Sequence, residues 1–128
     1  MDPLAAAALD ARQLTRAPYS NFRVGAALED EDGRIHTGCN IESASYGLTV
    51  CAERVAAFRA IASGARRFRR LAVAADTHTL TPPCGACRQV LWELCGDIEI
   101  LLVNPLGKIE SLRLSSLFPR PFDATFLH

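Results

Sequence analysis

The sequence has no excess of charge of either sign. Its 128 residues contain 14 Lys and Arg against 14 Asp and Glu, so the formal net charge at neutral pH is zero. A protein that grips a polyanion usually carries a basic excess, because phosphate contacts supply much of its affinity. We therefore expect no nucleic-acid partner, and the balance favours a small ligand of low charge.

Long apolar runs are also missing. No stretch approaches the ~20 residues of a membrane span, and no basic segment precedes the first apolar stretch, as it does in a secretory leader. We expect neither a membrane partner nor export. The cysteines number five, an odd count, which in an unexported chain indicates metal or thiol chemistry rather than disulfides. The sequence thus predicts a cytoplasmic protein.

The chain length fits one domain, residues 1–128, and its composition is that of a globular protein. Hydrophobic periodicity predicts helices over 4–17, 51–63 and 84–95, and strands over 24–28, 35–39, 71–75, 98–103 and 108–114. Buried strands that alternate with helices predict an α/β fold with a mixed five-stranded sheet. The last two strands are predicted to be antiparallel because the turn between them is short.

Three segments carry smaller predictions. The acidic run 29–33 ends in Asp-Gly, a strong hairpin signal, and is predicted to be a solvated hairpin tip rather than a cation site. The arginine-rich run 66–70 is predicted to be a solvated link rather than a nucleic-acid patch, because the chain is neutral. The apolar face of the second helix is predicted to comprise Val55, Phe58, Ile61 and Ala62.

Two short motifs predict a metal site. Cys51-Ala52-Glu53 opens the second predicted helix, and Pro83-Cys84-Gly85-Ala86-Cys87 opens the third. Thiolates bind Zn²⁺ well, and three protein ligands leave a fourth position for water, as in catalytic rather than structural zinc sites. Helix N-termini lower thiol pKa values, which favours three thiolates in one place. We therefore predict one zinc ion per chain, held by Cys51, Cys84 and Cys87.

Two charged residues follow the first of these cysteines. Glu53 can reach water on the metal but is poorly placed to bind the metal beside Cys51, so it is predicted to be the catalytic acid and base. Three thiolates make a zinc centre formally negative. We hypothesise that Arg54 donates a hydrogen bond to a thiolate sulfur and draws charge off the metal.

Other interpretations of the cysteines explain fewer residues. A structural site needs a fourth thiolate, and Cys95 lies about 12 Å beyond Cys87 along the same helix. Cys39 is not excluded by the sequence, but a fourth thiolate would leave Glu53 without a function. A redox dithiol in the Cys-x-x-Cys segment explains neither the first cysteine nor the glutamate. Catalytic zinc is therefore the preferred interpretation.

Four segments together resemble the small zinc-dependent cytidine deaminases. They occur in that family's order and span nearly the whole chain: Tyr19-Ser20-x-Phe22-x-Val24-Gly25-Ala26-Ala27, Gly38-Cys39-Asn40-Ile41-Glu42-x-Ala44-Ser45-Tyr46-Gly47, Cys51-Ala52-Glu53-Arg54 and Pro83-Cys84-Gly85-Ala86-Cys87-Arg88-Gln89-Val90. A ligand-x-Glu segment with a later Pro-Cys-x-x-Cys is the pattern of zinc nucleobase deaminases. Ser43 departs from the family's usual Asn, and the tail is less closely matched.

The resemblance implies a three-layer α/β/α fold and an enzyme of pyrimidine salvage. The implied reaction is hydrolytic deamination of cytidine and 2′-deoxycytidine to uridine and 2′-deoxyuridine, with release of ammonia. In it, Glu53 carries a proton from water to ring N3 and then to the departing amine.

The resemblance also assigns the substrate contacts. Phe22 packs on the pyrimidine, Asn40 and Glu42 bind the ribose hydroxyls, and Ala52 offers backbone contact near the base. Gln89, like Arg54, is assigned to the surroundings of the metal ligands.

The implied assembly is a homotetramer with shared active sites. Phe122 resembles the tail phenylalanine that reaches a neighbouring subunit's site, although packing within its own chain is an equal alternative. Tyr46 is expected in a loop near the subunit interface. An apolar tail on a small domain suits burial between subunits.

Three rival functions are left open. The nearest is deamination of another cytosine nucleoside, such as blasticidin S, although Asn40 and Glu42 favour the ordinary nucleoside. Polynucleotide deaminases usually have His as first ligand, and the neutral charge opposes them. A structural-zinc interaction module, from a different class, would bind metal without turnover.

Overall fold

The structure, a computed structural model, describes residues 1–127. The main helices are α1 (Pro3–Ala11), α2 (Ala52–Ala62), α3 (Gly85–Cys95) and the single turn α4 (Leu114–Leu117). The strands are β1 (Val24–Asp30), β2 (Ile35–Cys39), β3 (Phe68–Ala75), β4 (Glu99–Val103) and β5 (Ile109–Arg113). Short 3₁₀ turns occupy Arg12–Leu14, Tyr46–Leu48 and Ala124–Leu127. Across residues 1–127 no helix has the length and apolarity required to cross a bilayer.

The five strands form one mixed sheet in the order β2-β1-β3-β4-β5. Only the central pair β3–β4 is parallel, and the other three pairings are antiparallel. Alternate residues of β1 and β3 face opposite sides of the sheet. One face packs on α1, and the other packs on α2 and α3. The predicted mixed five-stranded sheet, its antiparallel last pair and the three-layer α/β/α fold are confirmed.

The first helix is shorter than the predicted range 4–17. It ends at Ala11, and a 3₁₀ turn carries the chain to Thr15, whose backbone is extended. The Thr15 hydroxyl donates to Asn40 Oδ1 at 2.7 Å. Because this contact holds Thr15 against a residue 25 positions away, the helix ends before Pro18. Tertiary contacts of this kind override local helix propensity.

The buried face of α2 differs from the predicted one. Its buried residues are Ala52, Glu53, Ala56, Ala57 and Ala60, whereas Phe58 is 49% exposed. The reason is the close approach of α2 to β2: a Cβ at Gly38 would collide with the backbone of Ala52 and Ala56. Only alanine fits between a helix and a sheet at that separation, so the larger apolar residues point outward.

Replacing Gly38 by Ala is expected to destabilise the protein by about 1–3 kcal/mol, because the added methyl meets backbone atoms that cannot rotate away. The free energy of unfolding, measured by urea denaturation, checks this prediction. Gly47→Ala is the matched control, since a Cβ there meets open space. Equal stability of the two variants would show that α2 is free to move away from β2.

The acidic hairpin is only partly as predicted. Glu31 and Asp32 are exposed at its tip, as expected, but Asp30 is buried. The Asp30 carboxylate accepts from the N–H groups of Asp32 and Arg34 and pairs with His36 Nε2 at 2.9 Å. Asp30 therefore closes the turn rather than being solvated, because the tight hairpin leaves two backbone donors for it to bind.

The arginine-rich run is a structural link between α2 and the sheet. Arg66 donates to the carbonyls of Ile61 and Ala65 at the C-terminal end of α2. Arg70 pairs with Asp2 at 2.7 Å and with Glu29 at 3.3 Å. The guanidinium groups thus bind nearby carbonyls and carboxylates of the same chain, which agrees with the predicted link.

Candidate metal centre and active site

Three cysteines converge where α2 and α3 begin. Both helices pack on one face of the sheet, and their N-termini meet there. Cys51 is the N-cap of α2 and Cys84 is the N-cap of α3. Cys87 follows in the first turn of α3, and the three sulfur atoms lie within 4.8 Å of one another. Cys39 and Cys95 lie outside this cluster.

The donor set fits zinc. Ligands about 2.3 Å from one tetrahedral ion stand about 3.8 Å apart, and the Cys51 and Cys84 sulfurs are 3.8 Å apart. Among residues 1–127 the group comprises three sulfurs and no fourth donor, which matches a site with one open position. The prediction of a zinc cofactor is confirmed by this cluster together with the family match given below.

The pKa values of two of the thiols shift in opposite directions. A hydrogen bond from the Cys87 thiol, with weaker help from Arg54 and against the effect of burial, lowers the pKa of Cys51 to about 5. The same hydrogen bond, together with burial, raises the pKa of Cys87. Arg54 Nη2 lies 3.4 Å from the Cys51 sulfur, which is the contact that the sequence hypothesis required. A thiolate thus forms next to a cation at the helix N-terminus.

Glu53 is a buried carboxyl group beside the sulfurs. It lies in the first turn of α2, two residues after Cys51, and only 4% of its surface is exposed. Burial raises the pKa of Glu53 to about 7, because the charged form loses its hydration. A carboxyl group so placed can exchange a proton near neutral pH.

A cavity of about 320 Å³ opens onto the cluster. Its wall includes six of the predicted site residues, Phe22, Asn40, Glu42, Cys51, Glu53 and Cys84, and also Val73, Thr81 and Pro82. A second depression of about 370 Å³ adjoins it through shared residues and contains Tyr46. The volume of the cavity fits a small ligand.

The two polar side chains assigned to the sugar have different surroundings. The Asn40 amide is used within the chain: it donates to the Phe22 carbonyl at 2.7 Å and accepts from Val24 N–H and the Thr15 hydroxyl. It therefore fixes the segment before β1 that carries Phe22. Glu42 accepts from the N–H groups of Tyr19 and Ser20 at 3.0 and 3.1 Å and from the Ser20 hydroxyl.

The surroundings of Glu42 keep it charged. The Ser20 hydroxyl, then the two backbone N–H groups, hold the pKa of Glu42 below its usual range. Asn21 stands in the left-handed region at φ 56°, which bends the chain so that Ser20 faces Glu42. No role is predicted for Ser20 or Thr15 from the sequence. Their hydroxyl groups bond to side chains 22 and 25 residues further along the chain, and no local sequence pattern reveals such contacts.

The remaining predicted residues differ in exposure and in the contacts that they make. Ala52 is buried at the start of α2, whereas Tyr46 is 75% exposed. Phe122 is 57% exposed and stacks on Phe126 in the tail. Gln89 donates to the Phe122 carbonyl at 2.9 Å and to Glu93, so its hydrogen bonds tie α3 to the tail.

Comparison with known proteins adds a family to this geometry. Residues 2–102 match the family described as "Cytidine and deoxycytidylate deaminase zinc-binding region". A cytidine deaminase of Sporosarcina psychrophila is 48% identical over 124 residues, covering 96% of this chain and 91% of that protein. A cytidine deaminase of Halalkalibacterium halodurans is 51% identical over 118 residues, covering 91% of this chain and 89% of that protein. The crystal structure of cytidine deaminase from Burkholderia pseudomallei matches with a TM-score of 0.89 at 49% identity. The match covers 93% of this chain and 96% of that one.

Proposed function

Because the chain belongs to the zinc-dependent cytidine deaminase family, we propose that its cavity converts cytidine and 2′-deoxycytidine to uridine and 2′-deoxyuridine. The reaction is hydrolytic: water replaces the amino group at C4, and ammonia is released. The protein is thus a hydrolase of C–N bonds. The single observation that carries the proposal is the buried Glu53 beside three clustered cysteine sulfurs on the wall of a cavity of nucleoside size.

The residues of this chain divide the chemistry between them. Cys51, Cys84 and Cys87 would hold zinc, which would supply a water nucleophile at neutral pH by lowering the pKa of water. Glu53 accepts a proton from the attacking water, transfers it to ring N3, and later protonates the amine that leaves C4. One carboxyl group suffices for both steps because it is buried at the junction of the sulfurs and the cavity.

Glu42 on the cavity wall suits the sugar. Its Oε1 accepts from two backbone N–H groups, whereas its Oε2 accepts from the Ser20 hydroxyl and has a further lone pair that accepts from a ribose hydroxyl. Asn40 orients Phe22, whose ring packs against the pyrimidine, and its amide has a second hydrogen to donate. The backbone near Ala52 lies beside the base in this arrangement.

Glu42→Gln is expected to raise KM for cytidine about 10-fold or more with little change in kcat. A hydrogen bond to a charged acceptor contributes about 1.5–3 kcal/mol, and this acceptor binds the sugar rather than the reacting ring. Steady-state kinetics with cytidine and 3′-deoxycytidine check the prediction. Wild type should discriminate strongly between the two, and the variant weakly.

Glu31→Gln at the exposed hairpin tip is the control for this substitution. Unchanged discrimination against the 3′-deoxy compound in Glu42→Gln would mean that Glu42 does not bind the sugar.

We also propose a homotetramer with shared active sites. The outward-facing Phe58 of α2, the exposed Tyr46 and the exposed Phe122 supply apolar surface that association would cover. In this assembly Tyr46 lies at the interface and Phe122 reaches a neighbouring site. Sedimentation equilibrium tests the assembly, and a monomeric mass with full activity would contradict it.

A direct assay tests the proposed function. Purified protein incubated with cytidine should shift the ultraviolet spectrum to that of uridine and release equimolar ammonia. Turnover of blasticidin S without turnover of cytidine would favour the rival nucleoside, and zinc without any turnover would favour an interaction module. The free cysteines suit a reducing compartment, so we place this reaction in the cytoplasm as part of pyrimidine salvage.

A further inference from the structure

The loop from Asp76 to Pro83 brings the chain from β3 to the metal-binding segment. It ends directly before Cys84, and its Thr81 and Pro82 line the cavity. Within residues 1–127, no backbone–backbone hydrogen bond involves residues 77–83. The loop must therefore be held by side chains if Cys84 is to have a fixed position.

One such side chain comes from a different part of the fold. Asn104 follows β4 and is 1% exposed, and its side chain makes four hydrogen bonds. Its amide nitrogen donates to the carbonyls of Thr77 and His78 at 3.1 and 3.2 Å. Its amide oxygen accepts from the N–H groups of Leu106 and Lys108 at 3.1 and 3.0 Å. Every polar atom of the side chain is thus engaged.

Further side-chain contacts hold the rest of the loop. The Thr77 hydroxyl is 2.7 Å from that of Thr81, so the start of the loop is linked to the part that lines the cavity. At the other end, Arg88 Nε donates to the Pro83 carbonyl at 2.8 Å. The central residue Leu80 packs on the core. Asn104 joins the start of the loop to the rigid β4–β5 turn.

We propose that Asn104 is a positioning residue of the zinc site: it fixes the 77–83 loop, and through it the placement of Cys84 and of the cavity wall. The inference rests on the proposed function, because it takes Cys84 as a zinc ligand. Outer partners that orient a metal ligand typically contribute 10- to 100-fold to metal affinity. The donors of Asn104 act at a distance of several residues, so we expect the lower part of that range.

Asn104→Asp tests the inference with a side chain of the same shape. A carboxylate still accepts from Leu106 and Lys108, but it places a charged oxygen against the carbonyls of Thr77 and His78. The start of the loop should detach while the β4–β5 turn is kept. Zinc release into excess chelator, followed with a metal indicator, should be about 10-fold faster than in wild type. The variant should also lose more kcat than the control described next.

Gly107→Ala is the matched control. Gly107 lies in the same turn at φ 85°, so alanine strains the turn but leaves the Asn104 amide in place. Urea denaturation places the variants on one stability scale. The second loop variant is Asn104→Ser, which replaces the two amide N–H donors by one hydroxyl on a shorter side chain and adds no charge. At equal loss of stability, zinc release should be fast in the Asn104 variants and near the wild-type rate in Gly107→Ala. Equal release rates in all three would overturn the inference and reduce Asn104 to a turn residue.

A second measurement separates this inference from the proposed function. Amide order parameters of residues 77–81, obtained by NMR relaxation, report on the attachment whether or not zinc is present. They should fall from about 0.85 towards 0.6 in both Asn104 variants but not in Gly107→Ala. Absence of zinc or turnover in wild type would contradict the proposed function, whereas an ordered loop in Asn104→Asp would contradict the inference.

Discussion

Glu53→Gln is expected to lower kcat for cytidine by about 10³-fold or more, at the strong end of general acid–base effects. The amide has the shape of the carboxyl group but cannot accept or deliver a proton, so both transfers, to ring N3 and to the departing amine, fail together. Zinc content should not change, because Glu53 is not among the three clustered sulfur donors. Substrate binding should survive because the amide keeps the shape of the carboxyl group, so KM should change little.

Three measurements check this prediction: steady-state turnover, zinc by atomic absorption and cytidine binding by calorimetry. Glu110→Gln, on the exposed strand β5, is the control for the chemistry of the substitution and should be fully active. Turnover within tenfold of wild type in Glu53→Gln would contradict the assignment of Glu53 as the proton carrier. A folded variant that has lost its zinc would instead show that the carboxyl group helps to hold the metal.

Cys84→Ser is expected to abolish both zinc binding and turnover. A serine hydroxyl is not deprotonated near neutral pH and is a poor zinc ligand, so two thiolates are left to hold the ion. Zinc after dialysis against a chelator should fall from about one ion per chain to near zero. Stability should fall as well, because an ion that binds the folded chain stabilises it by mass action. Thermal unfolding with and without added zinc measures this second effect.

Cys39→Ser is the matched control and also tests the alternative of a fourth thiolate. Cys39 ends β2 outside the cluster of three sulfurs. The variant should keep its zinc and its turnover. Loss of zinc in Cys39→Ser would revive a structural four-cysteine site and count against an open position on the metal. Full zinc content in Cys84→Ser would remove Cys84 from the ligand set.

Much of the fold could be predicted because its signals are local. Buried runs such as 71–75, the Asp-Gly hairpin and the glycine after each long helix report on neighbouring residues, and the strand and helix order follows from them. The juxtaposition of the two cysteine motifs was predictable for a similar reason: each is the beginning of a helix. The structure brings the three sulfurs together where both helices start.

The class of fold and the residues of the metal cluster thus follow from local signals, because periodicity, caps and ligand spacing are properties of short segments. The buried face of α2 depends instead on long-range packing, namely on the space that Gly38 leaves for the helix. Contacts of the folded chain also make Asn40 orient Phe22, Asp30 close its hairpin and Asn104 hold the 77–83 loop. The hydrogen-bond partners of these polar side chains come together only on folding, so no local sequence pattern identifies them.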